Sequence, residues 1–179
     1  TEDLRYPIGS YVPQPFSHKQ KEAWLFDIKF LPGELEIAVQ NLDTHQLETP
    51  YRDGGWTVHQ LVHHIADSHM NAFIRYKLAL TENNPTIKPY DENLWSETAD
   101  IQLPIKTSVK LLKALHTKWV ALLENMDKND FKRSYYHPGY NTTSSLQQAL
   151  AVYAWHGKHH VAQIEVALKK VMWSKMVLF

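Results

Sequence analysis

Eleven histidines and no cysteine stand among the 179 residues of the chain. Any metal held here is therefore taken by imidazole and carboxylate, and thiolate zinc sites, cysteine nucleophiles and disulfides are excluded. His156 and His160 are four apart, the spacing at which two imidazoles on one helix converge on one ion. Counted from Leu146 at roughly 100° per residue, both fall on the same flank of an apolar seam, and His159 falls on the outer side. Two ligands do not make a tight site, so a third must come from elsewhere. A second stretch offers His59, His63, His64 and His69. Counted from Leu61, His59 and His63 lie on the far side of the apolar arc, His69 lies inside it and His64 lies on its flank. Ser68, Asn71 and Arg75 follow His64 at +4, +7 and +11, a polar stripe beside the core that can line one wall of a pocket. A site of His64, His156 and His160 leaves coordination positions free for water or substrate, the pattern of a catalytic metal. His59 and His63 share the HxxxH spacing and stand as a rival pair. His116 occupies a seam position, which suits a hydrogen-bonded core histidine or a residue that orients a ligand.

Other chemistries find no residues. There is no glycine-rich phosphate loop, no GxSxG elbow, no HExxH, and no ExxH pair of the di-iron bundle type. Nineteen basic side chains balance nineteen acidic ones, which argues against nucleic-acid binding and against an electrostatic membrane anchor. No apolar run approaches the ~18 residues of a membrane-spanning helix. Residues 1–11 lack the apolar stretch of a signal peptide, so the cytoplasm is the expected compartment.

The elements that must position these histidines are helices. Proline is absent from 51–84, 105–137 and 139–179, and a helix-interior proline costs ~3 kcal/mol. Trp24, Ile28, Leu31, Leu35, Ala38 and Leu42 recur at helical spacing, as do Val109, Leu112, His116, Trp119, Leu123 and Met126, and the run from Leu146 to Val171. Ser17-x-x-Gln20, Thr57-x-x-Gln60 and Ser145-x-x-Gln148 match capping boxes at the starts. The expectation is one all-α domain over 1–179, a four-helix bundle with helices near 18–42, 57–82, 105–126 and 144–172. Pro32 is expected to kink or split the first helix. No sheet is expected. The connections 83–104 and 127–143 exceed minimal bundle turns, and Tyr90 and Trp95 in the first suggest an ordered loop packed over something.

Several motifs carry a resemblance. Gly55-Trp56-Thr57, then His63-His64-Ile65-Ala66-Asp67, then Trp155-His156-x-x-His159-His160-x-Ala162-Gln163 resemble the DinB superfamily, and in particular its YfiT-like branch. Tyr6-Pro7-Ile8-Gly9, the stretch from Pro50 to Trp56, Ala66 to Asn71, Arg75-x-Lys77-Leu78 and Tyr135-Tyr136-His137-Pro138 are similar to that branch as well, so the resemblance spans nearly the whole chain. It implies a four-helix bundle holding one divalent ion, zinc or nickel, on one histidine of the second helix and two of the fourth. Matched residue by residue, these are His64, His156 and His160. It further implies a homodimer, and an activity among metal-dependent hydrolases and bacillithiol transferases.

Three neutral imidazoles leave nearly the full +2 charge of the ion to act on a bound nucleophile. In one reading the nucleophile is a low-molecular-weight thiol that attacks an electrophilic substrate, with Ser68, Asn71 and Arg75 meeting the small molecules. In another it is water attacking an ester or amide carbon. A third reading, from a different class, is a non-catalytic metal- or ligand-binding stress module. Asp67 is placed to orient a ligand histidine, as is His116. No general acid or base is identified, and the partner is expected to be a small molecule.

Overall fold

The computed structural model describes residues 3–176. Four long helices carry the fold: α1 (His18–Val39), α3 (Val58–Thr81), α5 (Lys106–Glu124) and α6 (Leu146–Met176). Two short helices, α2 (Thr44–Leu47) and α4 (Glu92–Trp95), and a hairpin of β1 (Ser134–His137) with β2 (Thr142–Ser145) lie in the connections. Capping sets the starts as expected. Ser17 accepts from the Gln20 amide, and Thr57 with Gln60 and Ser145 with Gln148 form reciprocal pairs. The first helix ends at Val39, three residues short of the expected end, and Asn41 beyond it takes a positive φ of 56°.

The apolar core is in two parts, and their order along each helix gives the topology. Along α1 the buried side chains pass from one cluster (Leu25, Ile28) to the other (Leu31, Leu35, Val39). Along α6 they pass the same way, from Leu146, Leu150 and Tyr153 to Ile164 and Ala167. On α3 and α5 the order reverses, from Leu61 and Ile65 to Ala72 and Tyr76, and from Val109 and Leu112 to Trp119 and Leu123. So α1 and α6 run parallel, opposite to the parallel pair α3 and α5. Each of α1 and α3 packs on both α5 and α6.

Two parallel helices in succession cannot be joined by a tight turn. After α3 the chain must return along the bundle, a length of about 29 Å for a helix the size of α5, and residues 82–105 make this crossover. Its start is pinned by backbone pairing of Pro85 and Ile87 with Tyr136, and its end by the Leu103 carbonyl beside His59 and His63.

Two expectations are corrected. The segment 134–145 is a two-stranded antiparallel ribbon, with Ser134 opposite Ser145 and His137 opposite Thr142. It lacks an alternating sequence pattern because only Tyr135 of β1 is buried, and the strands are held by neighbours rather than by a core face of their own. Arg133, just before it, donates from Nε to the Ala79 carbonyl (2.6 Å) and from Nη2 to the Glu82 carbonyl (2.9 Å), which ties the ribbon to the end of α3. Of the kink or split expected at Pro32, the split does not occur: α1 continues through it to Val39. Proline lacks the N–H that would bond the carbonyl four residues back, and that carbonyl, of Ile28, accepts instead from Nδ1 of His116 at 2.6 Å.

Gly157 lies between the two histidines of α6, against Leu31 of α1. A Cβ there would stand 2.6 Å from Cδ2 and 2.9 Å from Cδ1 of Leu31, a side chain only 2% exposed. Gly157→Ala is expected to lower stability by about 1–3 kcal/mol through overpacking, read as a drop in the urea midpoint with helix content retained. An unchanged midpoint would show that the contact has room to relax.

Candidate metal centre

The two halves of the core meet at a polar layer. At the crossover point each long helix gives up an apolar position: His64 and His69 on α3, His116 on α5, His156 and His160 on α6, and Pro32 on α1. All five histidines but His156 are under 9% exposed. Buried polar groups are tolerated only when hydrogen-bonded or bound to an ion, so the layer must account for every ring nitrogen.

His64, His156 and His160 are brought together, each offering one ring nitrogen, with those atoms all within 4.8 Å of one another. Nε2 of His156 lies 3.3 Å from Nε2 of His64 and 3.1 Å from Nε2 of His160. The far side of His160 fixes its tautomer. Gln163 donates from Nε2 to the Arg5 carbonyl (2.9 Å), so its Oε1 faces Nδ1 of His160 at 2.8 Å and can only accept. The His160 proton is thus on Nδ1, and its Nε2 carries a lone pair aimed into the cluster. Burial, reinforced by the neighbouring imidazoles, pushes His156 and His160 well below the ordinary value, and burial followed by His159 takes His64 down to about 4. Neutral rings with converging lone pairs repel one another unless a cation lies between them, and neutral imidazole is the form a divalent ion takes. The donor set fits such an ion.

The polar stripe is less uniform than its spacing. Ser68 is buried, with Oγ 3.5 Å from Nε2 of His156. Asn71 is turned back onto its own helix, donating to the Asp67 carbonyl at 2.9 Å. Arg75 donates from Nη1 to the Tyr153 hydroxyl at 2.9 Å. The Asp67 carboxyl makes no hydrogen bond to a histidine, so the orienting role expected of it is not met. Burial and then the Asp100 charge raise it to about 6. His116 lies one residue further out, bonded to His69 rather than to a member of the cluster. The rival pair is engaged elsewhere. Nε2 of His59 and of His63 both lie 3.0 Å from the Leu103 carbonyl, and Ser108 Oγ is 2.7 Å from Nδ1 of His63. These two join α3 to the end of the crossover. His159, expected to face outward, is 6% exposed because Tyr6 and Trp155 cover its ring at 5.7 and 4.5 Å.

Beside His160 opens a cavity of 310 Å³ lined by Arg5, Tyr6, Tyr51, Arg52, Gly54, Gly55, Trp56, Asn93, His159, His160 and Gln163. Trp56 closes one side against His64, ring to ring at 4.5 Å. Asn93 comes from the crossover, whose Tyr90 packs on Trp95 at 4.3 Å. Arg5, Arg52 and Asn93 carry no signal in the sequence, because they come from loops and from the single turn of α4, which have no periodicity. Gln163 was findable: three residues after His160 on one helix, it occupies the same face.

A helical bundle with three converging histidines and a flanking cavity defines a metal-site four-helix protein, and comparisons with known proteins agree. The DinB superfamily profile matches residues 28–164, and the chain belongs to that superfamily. A protein of Bacillus cereus (strain AH820) is 48% identical over 172 residues, covering 96% of this chain and 99% of its own length, and bears the name "Putative metal-dependent hydrolase". A Bacillus anthracis protein of the same name matches to the same extent. YfiT from Bacillus subtilis, a solved structure described as a probable metal-dependent hydrolase with an unusual four-helix bundle topology, is 46% identical with a TM-score of 0.91. That match covers 95% of this chain and 98% of YfiT.

Two outcomes follow. His160→Ala is expected to abolish stoichiometric binding of zinc or nickel in equilibrium dialysis with the helical circular-dichroism signal kept, while His63→Ala binds normally. The reverse pattern would assign the ion to the rival pair. In the metal-free protein, burial holds eight histidines (63, 64, 69, 116, 137, 156, 159 and 160) below the ordinary 6.5. The unfolded chain binds more protons than the native one as pH falls, so their contribution is full above about pH 6.5 and is lost as pH drops below it, down to about 4 for His64, His116 and His159. Asp67, raised by burial to about 6, and Glu92, also raised by burial, oppose this as two groups against eight. With each histidine adding up to about 1.4 kcal/mol per pH unit, the urea midpoint is expected to fall steeply from pH 7 to pH 5. A flat midpoint would mean that the rings are not buried neutral.

Proposed function

We propose that the chain is a divalent-metal-dependent enzyme in which His64, His156 and His160 hold the ion and a small thiol is the nucleophile. The observation that carries the reading is the ligand set: three imidazole nitrogens converge, and among the described residues no carboxylate joins them. A zinc or nickel ion bound there supplies Lewis acidity with nearly undiminished charge, enough to deprotonate a thiol outright or to bring water toward a pKa of ~7.

The chain's own residues then divide the work. Gln163 holds the His160 ring by its Nδ1–H, itself anchored on the Arg5 carbonyl. Trp56 and the crossover restrict solvent on one side, and the cavity admits the small molecule on the other. Arg5 and Arg52 line that cavity; the Arg5 guanidinium is paired with the Asp3 carboxylate (2.8 Å), so Arg52 is the cation that favours a molecule bearing an anionic group. Arg52 is steadied by Nε donating to the Tyr51 hydroxyl at 3.0 Å and Nη1 to the Asp53 carbonyl at 2.9 Å. Ser68 stands beside His156 on the far side of the cluster, where a second reactant can be met. No general base contacts the histidines among the described residues, which suits a thiol, since the ion alone suffices to ionise it.

The second reading is hydrolysis, with water as nucleophile, and the printed names of the relatives favour it. The two part in one experiment. Metal-loaded protein is given an electrophilic acceptor with bacillithiol, with cysteine, or with no thiol, each beside a chelated control. Thiol-dependent, chelator-sensitive turnover is expected, fastest with bacillithiol. Turnover of esters or amides without thiol, equally sensitive to chelator, would establish the hydrolase instead.

A further inference from the structure

The histidine layer holds two rings that the metal reading does not use, and their bonds form a single directed chain. It begins on α1. Because Pro32 has no N–H, the Ile28 carbonyl is left without a helical donor, and a carbonyl oxygen can only accept. Nδ1 of His116, 2.6 Å away, must therefore carry the proton, and burial keeps the ring neutral, so Nε2 of His116 is a lone pair. That lone pair faces Nδ1 of His69 at 2.9 Å, which must be the donor. Nε2 of His69 is then a lone pair in turn, and it faces Nδ1 of His156 at 3.2 Å. The proton of His156 is consequently on Nδ1, leaving Nε2 bare and directed at Nε2 of His64 and His160. Each ring has one possible tautomer once the first is set, and the first is set by a missing backbone hydrogen.

The geometry points to His69 and His116 as positioning residues for the metal centre, holding His156 as an Nδ1–H tautomer with its Nε2 lone pair on the ion, and to the Ile28 carbonyl freed by Pro32 as the fixed end of the chain. The inference rests on the metal reading above and extends it. Metal-bound histidines generally donate their second N–H to an oxygen acceptor, which fixes tautomer and raises ligand basicity. Here that acceptor is another neutral imidazole, relayed through a third. His160 reaches a protein carbonyl through one side chain, Gln163. His156 reaches one through two. The rings are held in place by packing as well as by bonds: His69 stacks on His116 at 5.0 Å with 14° between planes, and Trp119 meets both edge-on at 5.7 and 5.5 Å. A Leu in place of His116 fills similar space and accepts no hydrogen bond. A Gln there can still present an acceptor toward Nδ1 of His69.

The test has two arms. Long-range nitrogen–proton NMR on the metal-free native protein reads each tautomer directly. His116, His69 and His156 are expected all to be Nδ1–H, against the Nε2–H form that free imidazole side chains favour in water. A spectrum showing Nε2–H at His69 or His156 would overturn the chain. The second arm titrates Co²⁺ into native protein, His116→Leu and His116→Gln, following the visible absorption of the bound ion. Affinity is expected to fall at least about 10-fold in the Leu variant and to recover to within about 3-fold of native in the Gln variant. Equal affinity in native and Leu protein would remove the positioning role, and equal loss in Leu and Gln would reduce it to packing. If native protein takes up no Co²⁺, the metal reading itself fails, and the tautomer spectrum still decides the chain.

Discussion

The structure turns on a buried layer of neutral histidines across the middle of a helical bundle. Such rings are costly inside a protein unless their nitrogens have partners, and the layer meets this by giving Nδ1 of His116, His69, His156 and His160 each a partner and gathering the Nε2 atoms of His64, His156 and His160 at one point. The apolar residues on either side form separate clusters, so the layer is also the seam at which the two halves of the core are joined. Each long helix contributes to it, and a shift of any one helix by a turn would break the accounting.

The topology follows the same need. Running α3 parallel to α5 and opposite to α6 sets His64 against His156 and His160, and it sends residues 82–105 back along the bundle past the site. The crossover, the segment from Arg5 to Tyr11 and the turn before Trp56 then enclose what the helices leave open. Arg5 shows how closely these are joined, since its side chain lines the cavity while its backbone carbonyl anchors Gln163 and through it His160.

Much of the site was legible from period alone. The wheel count put His64, His156 and His160 on core flanks, though it also turned His63 and His159 away from a core in which both are buried, and the capping boxes placed the helix starts to within about two residues. What escaped has a common cause. Helix direction, the hairpin at 134–145 and the cavity residues Arg5, Arg52 and Asn93 depend on contacts between distant segments, which no local pattern records. Pro32 illustrates the limit well: a helix-breaking signal by itself, it is absorbed because His116, eighty-eight positions from Ile28, takes the carbonyl that the proline leaves free. His69 was placed inside the apolar arc, yet only the neighbouring helices show that it bridges His116 to His156.

X-ray absorption spectroscopy of the nickel- or zinc-loaded protein examines the central claim most directly. The account predicts an ion with three imidazole nitrogens at about 2.0–2.1 Å, completed by one or more light, exchangeable oxygen neighbours. It further predicts that addition of a small thiol replaces an oxygen with one sulfur at about 2.3 Å. A shell with a protein carboxylate, a fourth imidazole or fewer than three imidazoles would contradict the site as described. An unchanged oxygen shell in saturating thiol would contradict the thiol as nucleophile.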